Sequence, residues 1–132
     1  MNPSEKTILI ADDDMDLLEQ LRIKLEAMGF NVISTESQYE TEHKLEELKP
    51  DLAIYDLMME HQDSGFVLSY KTKKKYPDVP VILITAVTHQ TGIKFDATTD
   101  EMRSWLKADA VLDKDIRYEQ LEAEIHRLLE GR

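Results

Sequence analysis

Acids, a hydroxyl and an ammonium stand at the ends of short apolar runs in this chain. Ile8-Leu9-Ile10-Ala11 leads into Asp12-Asp13-Asp14, and Leu52-Ala53-Ile54-Tyr55 delivers Asp56. Val81-Ile82-Leu83-Ile84 leads into Thr85, and Ala110-Val111-Leu112 leads into Asp113-Lys114. An acid that closes an apolar run is costly to bury unless a partner meets it. In an open parallel α/β sheet the ligand crevice lies outside the carboxyl ends of the strands. If the four runs are neighbouring parallel strands, Asp12, Asp13, Asp56, Thr85 and Lys114 converge there.

Carboxylates gathered in this way repel one another, by roughly 4 kcal/mol for two unit charges 4 Å apart at an effective dielectric near 20. A hard divalent cation removes the conflict. Mg²⁺ prefers oxygen ligands, keeps several waters and takes one or two carboxylates together with a phosphate oxygen. Such a cation also draws charge off a phosphoryl group in transfer. A carboxylate can itself attack phosphorus and become an aspartyl phosphate. Lys114 would then supply a fixed positive charge, and Thr85 a hydroxyl for a phosphoryl oxygen. Taken singly these residues have plainer readings: an acidic turn that caps a helix, a strand-ending Asp, a surface Lys. The constellation carries the inference. Asp12-x-Asp14-x-Asp16 superficially suggests a calcium loop, but the glycine and the closing glutamate are missing.

The elements that must position these residues follow from periodicity. Lys6–Ala11 reads as the first strand. Leu17, Leu18, Leu21, Leu25 and Met28 recur at helical spacing over 15–28, with Asp13 or Asp14 as the N-cap and Gly29 as the stop. Asn31–Thr35 reads as a second strand. Ser37-Gln38-Tyr39-Glu40 matches a capping box that opens a helix to about Leu48. The strand carrying Asp56 comes next, then a polar loop over Met58–Ser64. A helix from Gly65 to about Tyr76 is expected to turn Phe66, Val67 and Tyr70 inward. After the Val81–Ile84 strand, residues 86–97 read as loop. Thr98 and Glu101 form a second capping box, with Met102, Trp105 and Leu106 as that helix's apolar stripe. Ala110–Leu112 is the fifth strand. Asp115 is expected to cap a last helix whose Leu121, Ile125, Leu128 and Leu129 face the sheet. Strands alternating with helices argue a doubly wound parallel sheet of the α/β class.

At 132 residues the chain is read as a single domain without a linker to another. It has 27 acidic residues against 16 Lys and Arg, a formal charge of −11 that lacks the basic footprint of a nucleic-acid binder. There is no cysteine, hence no disulfide framework or thiolate chemistry. No apolar run approaches the roughly 18 residues of a membrane span. No signal-peptide core follows the N-terminus either, so a cytoplasmic location is expected.

The set Ala11-Asp12-Asp13-Asp14, Tyr55-Asp56-Leu57-Met58-Met59, Leu83-Ile84-Thr85-Ala86 and Asp113-Lys114 resembles the receiver domain of two-component response regulators. The likeness covers almost the whole chain, and the four signals occur in the family's order. It implies a (βα)5, flavodoxin-like sheet in strand order 2-1-3-4-5. It implies that Asp56 is phosphorylated from the phosphohistidine of a histidine kinase or a histidine phosphotransfer protein. It implies that Asp13, Asp56 and the backbone carbonyl of Met58 bind Mg²⁺ directly, with Asp12 reaching the ion through water. Lys114, Thr85 and the backbone N–H of Ala86 are implied to contact the phosphoryl oxygens. The chain departs from the pattern where Asp115 follows Lys114 in place of proline and where Val111 replaces an aromatic. It departs again in a longer stretch between Thr85 and Lys114, and in the loop after Asp56, which carries Met59-Glu60 where proline is common.

The expectation is a stand-alone receiver (residues 1–132) with no output domain, a phosphorylation-dependent switch rather than an enzyme acting on a diffusible substrate. Its expected partners are the phosphoryl donor and a downstream protein. The downstream protein would bind the face built from the helix after Thr98, the Ala110–Leu112 strand and the last helix; neither nucleic acid nor membrane is expected. The alternatives are a receiver-like adaptor that is never phosphorylated and a small metal-dependent phosphatase. A phosphatase of the haloacid-dehalogenase type needs Thr or Val where Met15 stands.

Overall fold

The strands that deliver the acids are β1 (Thr7–Ala11), β2 (Asn31–Thr35), β3 (Leu52–Asp56), β4 (Val81–Thr85) and β5 (Ala110–Asp113). In the computed structural model, which describes residues 2–86 and 108–130, they form one parallel sheet in the order β2-β1-β3-β4-β5. The helices are α1 (Met15–Ala27), α2 (Gln38–Glu47), α3 (Ser64–Lys75) and α4 (Tyr118–Glu130), with a 3₁₀ turn over Pro3–Glu5. The helix expected after Thr98, with Met102, Trp105 and Leu106, lies outside the described residues, as does the loop expected before it from residue 87 on.

Side chains that alternate along the strands fill two apolar layers. Ile8, Ile10, Ile54, Ile82, Ile84 and Leu112 pack with Leu18, Leu21 and Leu25 of α1 and Leu121, Ile125 and Leu129 of α4. Leu9, Ala11, Ala53, Tyr55, Val81 and Leu83 form the other layer with Leu45 of α2 and Leu68 of α3. A parallel sheet covered on both faces needs near-continuous apolar strands, and these runs supply them.

Local chemistry sets the helix ends. The Asp14 carboxylate accepts from the N–H groups of Asp16 and Leu17 and so starts α1. Gly29, at φ 100°, stops it: its N–H donates to Glu26 O and the Phe30 N–H to Leu25 O, a Schellman arrangement that only a residue tolerant of positive φ closes cheaply. The Ser37 hydroxyl accepts from the Glu40 N–H, as the capping-box pattern predicts, while the Glu40 carboxylate reaches the Glu36 N–H.

Two expectations are corrected. Tyr70 does not face inward; it is 53 % exposed, and Phe66 and Val67 are only half-buried. The buried face of α3 is Ser64, Gly65, Leu68, Ser69 and Thr72, whose small and polar side chains let the helix lie close to the sheet. The Thr72 hydroxyl donates to Leu68 O and meets the hydroxyl of Tyr55, on β3, at 2.7 Å. Asp115 does not cap the last helix either. The helix begins at Tyr118, three residues on, and the Asp115 N–H turns back to the Asp113 carboxylate.

Candidate functional site

Strand register places the acids side by side. Ala11 pairs with Tyr55, so the next residues, Asp12 and Asp56, leave β1 and β3 together. Asp56 pairs with Ile84, and Thr85 with Asp113, so Thr85 and Lys114 stand at the same end of the sheet on the next two strands, β4 and β5. The backbone continues the pairing past the strand ends: Asp12 N–H donates to Thr35 O, Leu57 N–H to Ile84 O and Lys114 N–H to Thr85 O. The last of these bonds aims the lysine across β4. Among the described residues every peptide bond is trans, that of Lys114–Asp115 included.

Asp12, Asp13 and Asp56 each present a carboxylate oxygen within 4.8 Å of the others. Asp12 is 1 % exposed and Asp56 3 %, whereas Asp13 faces solvent. Lys114 Nζ lies 3.3 Å from Asp56 Oδ2 and 3.7 Å from Asp12 Oδ1. Thr85 is buried at the end of β4 and Ala86 beside it is half-buried. Met58 reaches the site through its backbone, whose N–H faces the Asp56 carboxylate and favours its charged form, while its side chain is exposed.

One ammonium does not neutralise this set. Burial pushes the Asp12 carboxyl up to about 7; the Asp14 N–H opposes that rise and the charge of Asp56 adds to it. Burial raises Asp56 as well, against the pull of Lys114. Burial disfavours the charge of Lys114, yet Asp56 and Asp12 hold its pKa above the ordinary value. With both acids ionised, Asp12 Oδ2 is buried without a hydrogen-bond donor among the described residues. An orphaned carboxylate oxygen beside two other carboxylates, with solvent on one side, fits an oxygen-seeking divalent cation.

A pH dependence follows. The folded state holds a proton on Asp12 up to about pH 7, while the unfolded chain releases it near 3.8. Stability of the metal-free protein therefore falls as pH rises between those values. Water reaching the crevice past Asp13 screens part of the effect, leaving on the order of 2 kcal/mol. Glu42 and Glu60, whose pKa values are lowered despite partial burial by the donors that face them, act in the opposite sense only below about pH 4.5. Urea unfolding at pH 5 and pH 7.5 should show the metal-free protein weaker at the higher pH. Saturating Mg²⁺ should flatten the difference, because the cation takes the place of the proton. A metal-free protein equally stable at both values would remove the claim.

Two features of the loop after Asp56 were not picked out as functional from sequence. A Cβ on Gly65 would lie 2.6 Å from Leu57 Cα and 2.7 Å from Asp56 O, so this glycine lets α3 press against the backbone that carries Asp56. The only local signal is a glycine in the first turn of a helix, where it weakens the helix and so calls for a reason. Glu60 accepts from the N–H groups of Gln38 and Tyr39 on α2, a bond across more than 20 residues for which the sequence carries no local signal.

Comparison with known proteins agrees with this geometry. The model of the response regulator receiver domain matches residues 8–126. The chain is 39 % identical over 79 residues to the transcriptional regulatory protein GlrR of Escherichia coli K12, covering 60 % of this chain and 18 % of GlrR. It is 29 % identical over 129 residues to the probable transcriptional regulator ycf27 of Cyanophora paradoxa, covering 98 % of this chain and 50 % of that protein. Among solved structures it is similar to the response regulator TrrA of Thermotoga maritima in complex with Mg(2+)-BeF, at 26 % identity and a TM-score of 0.77, over 94 % of this chain and 99 % of that one. A CheY-like receiver domain protein from Methanospirillum hungatei aligns with a TM-score of 0.81 and 25 % identity, over 96 % of this chain and 94 % of that one. The chain thus spans a minor part of GlrR and half of ycf27. A family match running from the first strand into the last helix, on a 2-1-3-4-5 parallel sheet, leaves one assignment: the chain belongs to the response regulator receiver domain family of two-component signalling.

Proposed function

We propose that this domain accepts a phosphoryl group on Asp56 from the phosphohistidine of a histidine kinase or histidine phosphotransfer protein, in a Mg²⁺-dependent reaction, and that the phosphorylated form changes what it binds. One observation carries the reading: the buried Asp56 carboxylate, at the mouth of the sheet, has an ammonium at 3.3 Å and two further acids within 4.8 Å. A structural ion pair needs the lysine but has no use for the extra acids.

In this reading an Asp56 oxygen attacks phosphorus while the phosphorus–nitrogen bond to the donor's imidazole breaks and the imidazole leaves with that electron pair. Asp56 must be ionised to attack; Lys114 favours that form against burial. Asp13, Asp56 and the Met58 carbonyl would hold Mg²⁺, with Asp12 acting through water. The cation supplies charge withdrawal from the phosphoryl oxygens. Lys114, the Thr85 hydroxyl and the Ala86 N–H would receive the oxygens of the transferred group. The Met58 N–H, facing Asp56, also favours its ionised form.

A net charge of −11 gives no footprint for a phosphate backbone, so the output is placed on a protein contact. By analogy with the fold, the face of β5 and α4 would make that contact. Incubation with acetyl phosphate and Mg²⁺, read by intact mass, tests the proposal. The expected result is the gain of one phosphoryl group, abolished in Asp56→Asn. A wild-type protein that gains none is an adaptor. One that releases phosphate continuously without carrying it is a phosphatase. Either result overturns the proposal.

A further inference from the structure

We propose that Glu60 is a positioning residue for the Asp56 site, tying the loop that carries Met58 to the first turn of α2 so that what the site binds is felt there. The proposal deepens the reading above and rests on its Mg²⁺ site.

Glu60 Oε1 accepts from the Gln38 N–H at 2.6 Å and Oε2 from the Tyr39 N–H at 3.2 Å. α2 already has its own cap, since the Ser37 hydroxyl accepts from the Glu40 N–H and the Ser37 carbonyl from the Thr41 N–H. Glu60 satisfies the two donors that such a cap leaves over. With it, each of the first four N–H groups of α2 has a partner. An ordinary helix leaves that pair to water, so a carboxylate brought from another loop is an added constraint. Its negative charge also suits the positive end of the helix.

The other end of the same short segment touches the reactive group. Met58, two residues before Glu60 and two after Asp56, turns its N–H toward the Asp56 carboxylate and so favours its ionised form. Between them Met59 is half-buried against the layer that holds Leu45 and Tyr55, and its N–H is bonded to His61 O. A two-residue span reaches about 7 Å at full extension and has little slack when both ends and the middle are held. If the Met58 carbonyl turns toward a cation, the shift must appear at Glu60 and at the N–H groups of Gln38 and Tyr39. Conversely, releasing Glu60 frees Met58 to leave the site.

Glu60→Ala and Glu60→Gln, compared with the wild type, test this. Mg²⁺ alone is titrated calorimetrically, and the amides of Gln38 and Tyr39 are followed by ¹H–¹⁵N spectra during the same titration. The wild type should bind Mg²⁺ with shifts at both amides. Glu60→Ala should bind about tenfold more weakly, the low end for groups that orient metal ligands, and the shifts at the two amides on adding Mg²⁺ should disappear. Glu60→Gln, which keeps one acceptor oxygen and the side chain's shape, should fall between the two in affinity and retain a shift at one amide. Wild-type Mg²⁺ affinity in both variants overturns the proposal, even if both are less stable, because that outcome makes Glu60 a cap and nothing more. A wild type that takes up no Mg²⁺ overturns the reading of the metal site, and this proposal with it.

Discussion

Gly65→Ala should lose about 1–3 kcal/mol of stability, the usual cost of forcing extra volume into a packed interior, and phosphorylate at least about tenfold more slowly. The added methyl would meet Leu57 Cα, Asp56 O and Leu57 N at 2.6, 2.7 and 3.1 Å, all backbone atoms with no flexible end to give way. Neither partner is free to retreat. The Gly65 N–H is bonded to Leu57 O and the Leu57 N–H to Ile84 O, both at 2.8 Å, which ties the contact to α3 on one side and β4 on the other. Relief must come from tilting the Asp56–Leu57 peptide or lifting α3, and the first of these moves Asp56, the proposed phosphoacceptor, directly. Small displacements of a reacting group are costly, since an error of about 1 Å can slow a reaction 100-fold. Urea unfolding and the initial rate of mass gain from acetyl phosphate check the two parts. Wild-type values for both would show that the contact yields.

Lys114→Met should separate the role of the lysine from that of the cation. Removing one partner of a buried charge pair leaves the other uncompensated, at a cost of about 3–5 kcal/mol when burial is complete. Lys114 is 29 % exposed, so roughly 2 kcal/mol is expected for the metal-free protein at pH 8. The sign with pH is fixed by the carboxylates. Lys114 lowers the pKa of both Asp12 and Asp56, so without it both bind protons more tightly. The deficit is then full where the acids are ionised and shrinks as pH falls and they protonate. Unfolding at pH 5 and pH 8 should show this narrowing, and Mg²⁺ should reduce the deficit at pH 8. An equal deficit at the two pH values would mean that Lys114 stabilises the fold without reference to the acids. Phosphoryl uptake should fall in the variant even with saturating Mg²⁺, because in the proposed reaction the ammonium receives a phosphoryl oxygen that the cation alone would leave without that partner.

The site could be read from sequence because its parts end apolar runs. A buried parallel strand is a short apolar stretch, and its last residue is placed at the crevice by topology alone, which located Asp12, Asp56, Thr85 and Lys114 without knowledge of any loop. The Asn31–Thr35 strand and the Ser37 cap were legible for the same reason, as the signal lies within a few residues. What escaped was either non-local or inverted. Glu60 serves a helix more than 20 residues earlier, and nothing near it in the chain announces that. The inner face of α3 is lined by Ser64, Gly65, Ser69 and Thr72, so apolar periodicity pointed to Tyr70 on the wrong side. Close approach of helix to sheet selects small residues, and a reading built on large apolar ones misses it. Asp115 failed as a cap because Asp113, with the same chemistry, takes its N–H before the helix begins.

The hydroxyl pair between Tyr55 and Thr72 limits which motions the domain can use. Sliding or rolling α3 over the sheet would strand the Tyr55 hydroxyl in an apolar layer, at about 1–3 kcal/mol for an unsatisfied group, while Thr72 kept its bond to Leu68 O. The helix is therefore clamped in its last turn, at Thr72, as well as in its first, at Gly65. Rearrangement set off beside Asp56 has an easier way out through the turn in front of α3 than through the helix itself, which makes α3 the stationary frame against which the rest of the molecule can shift.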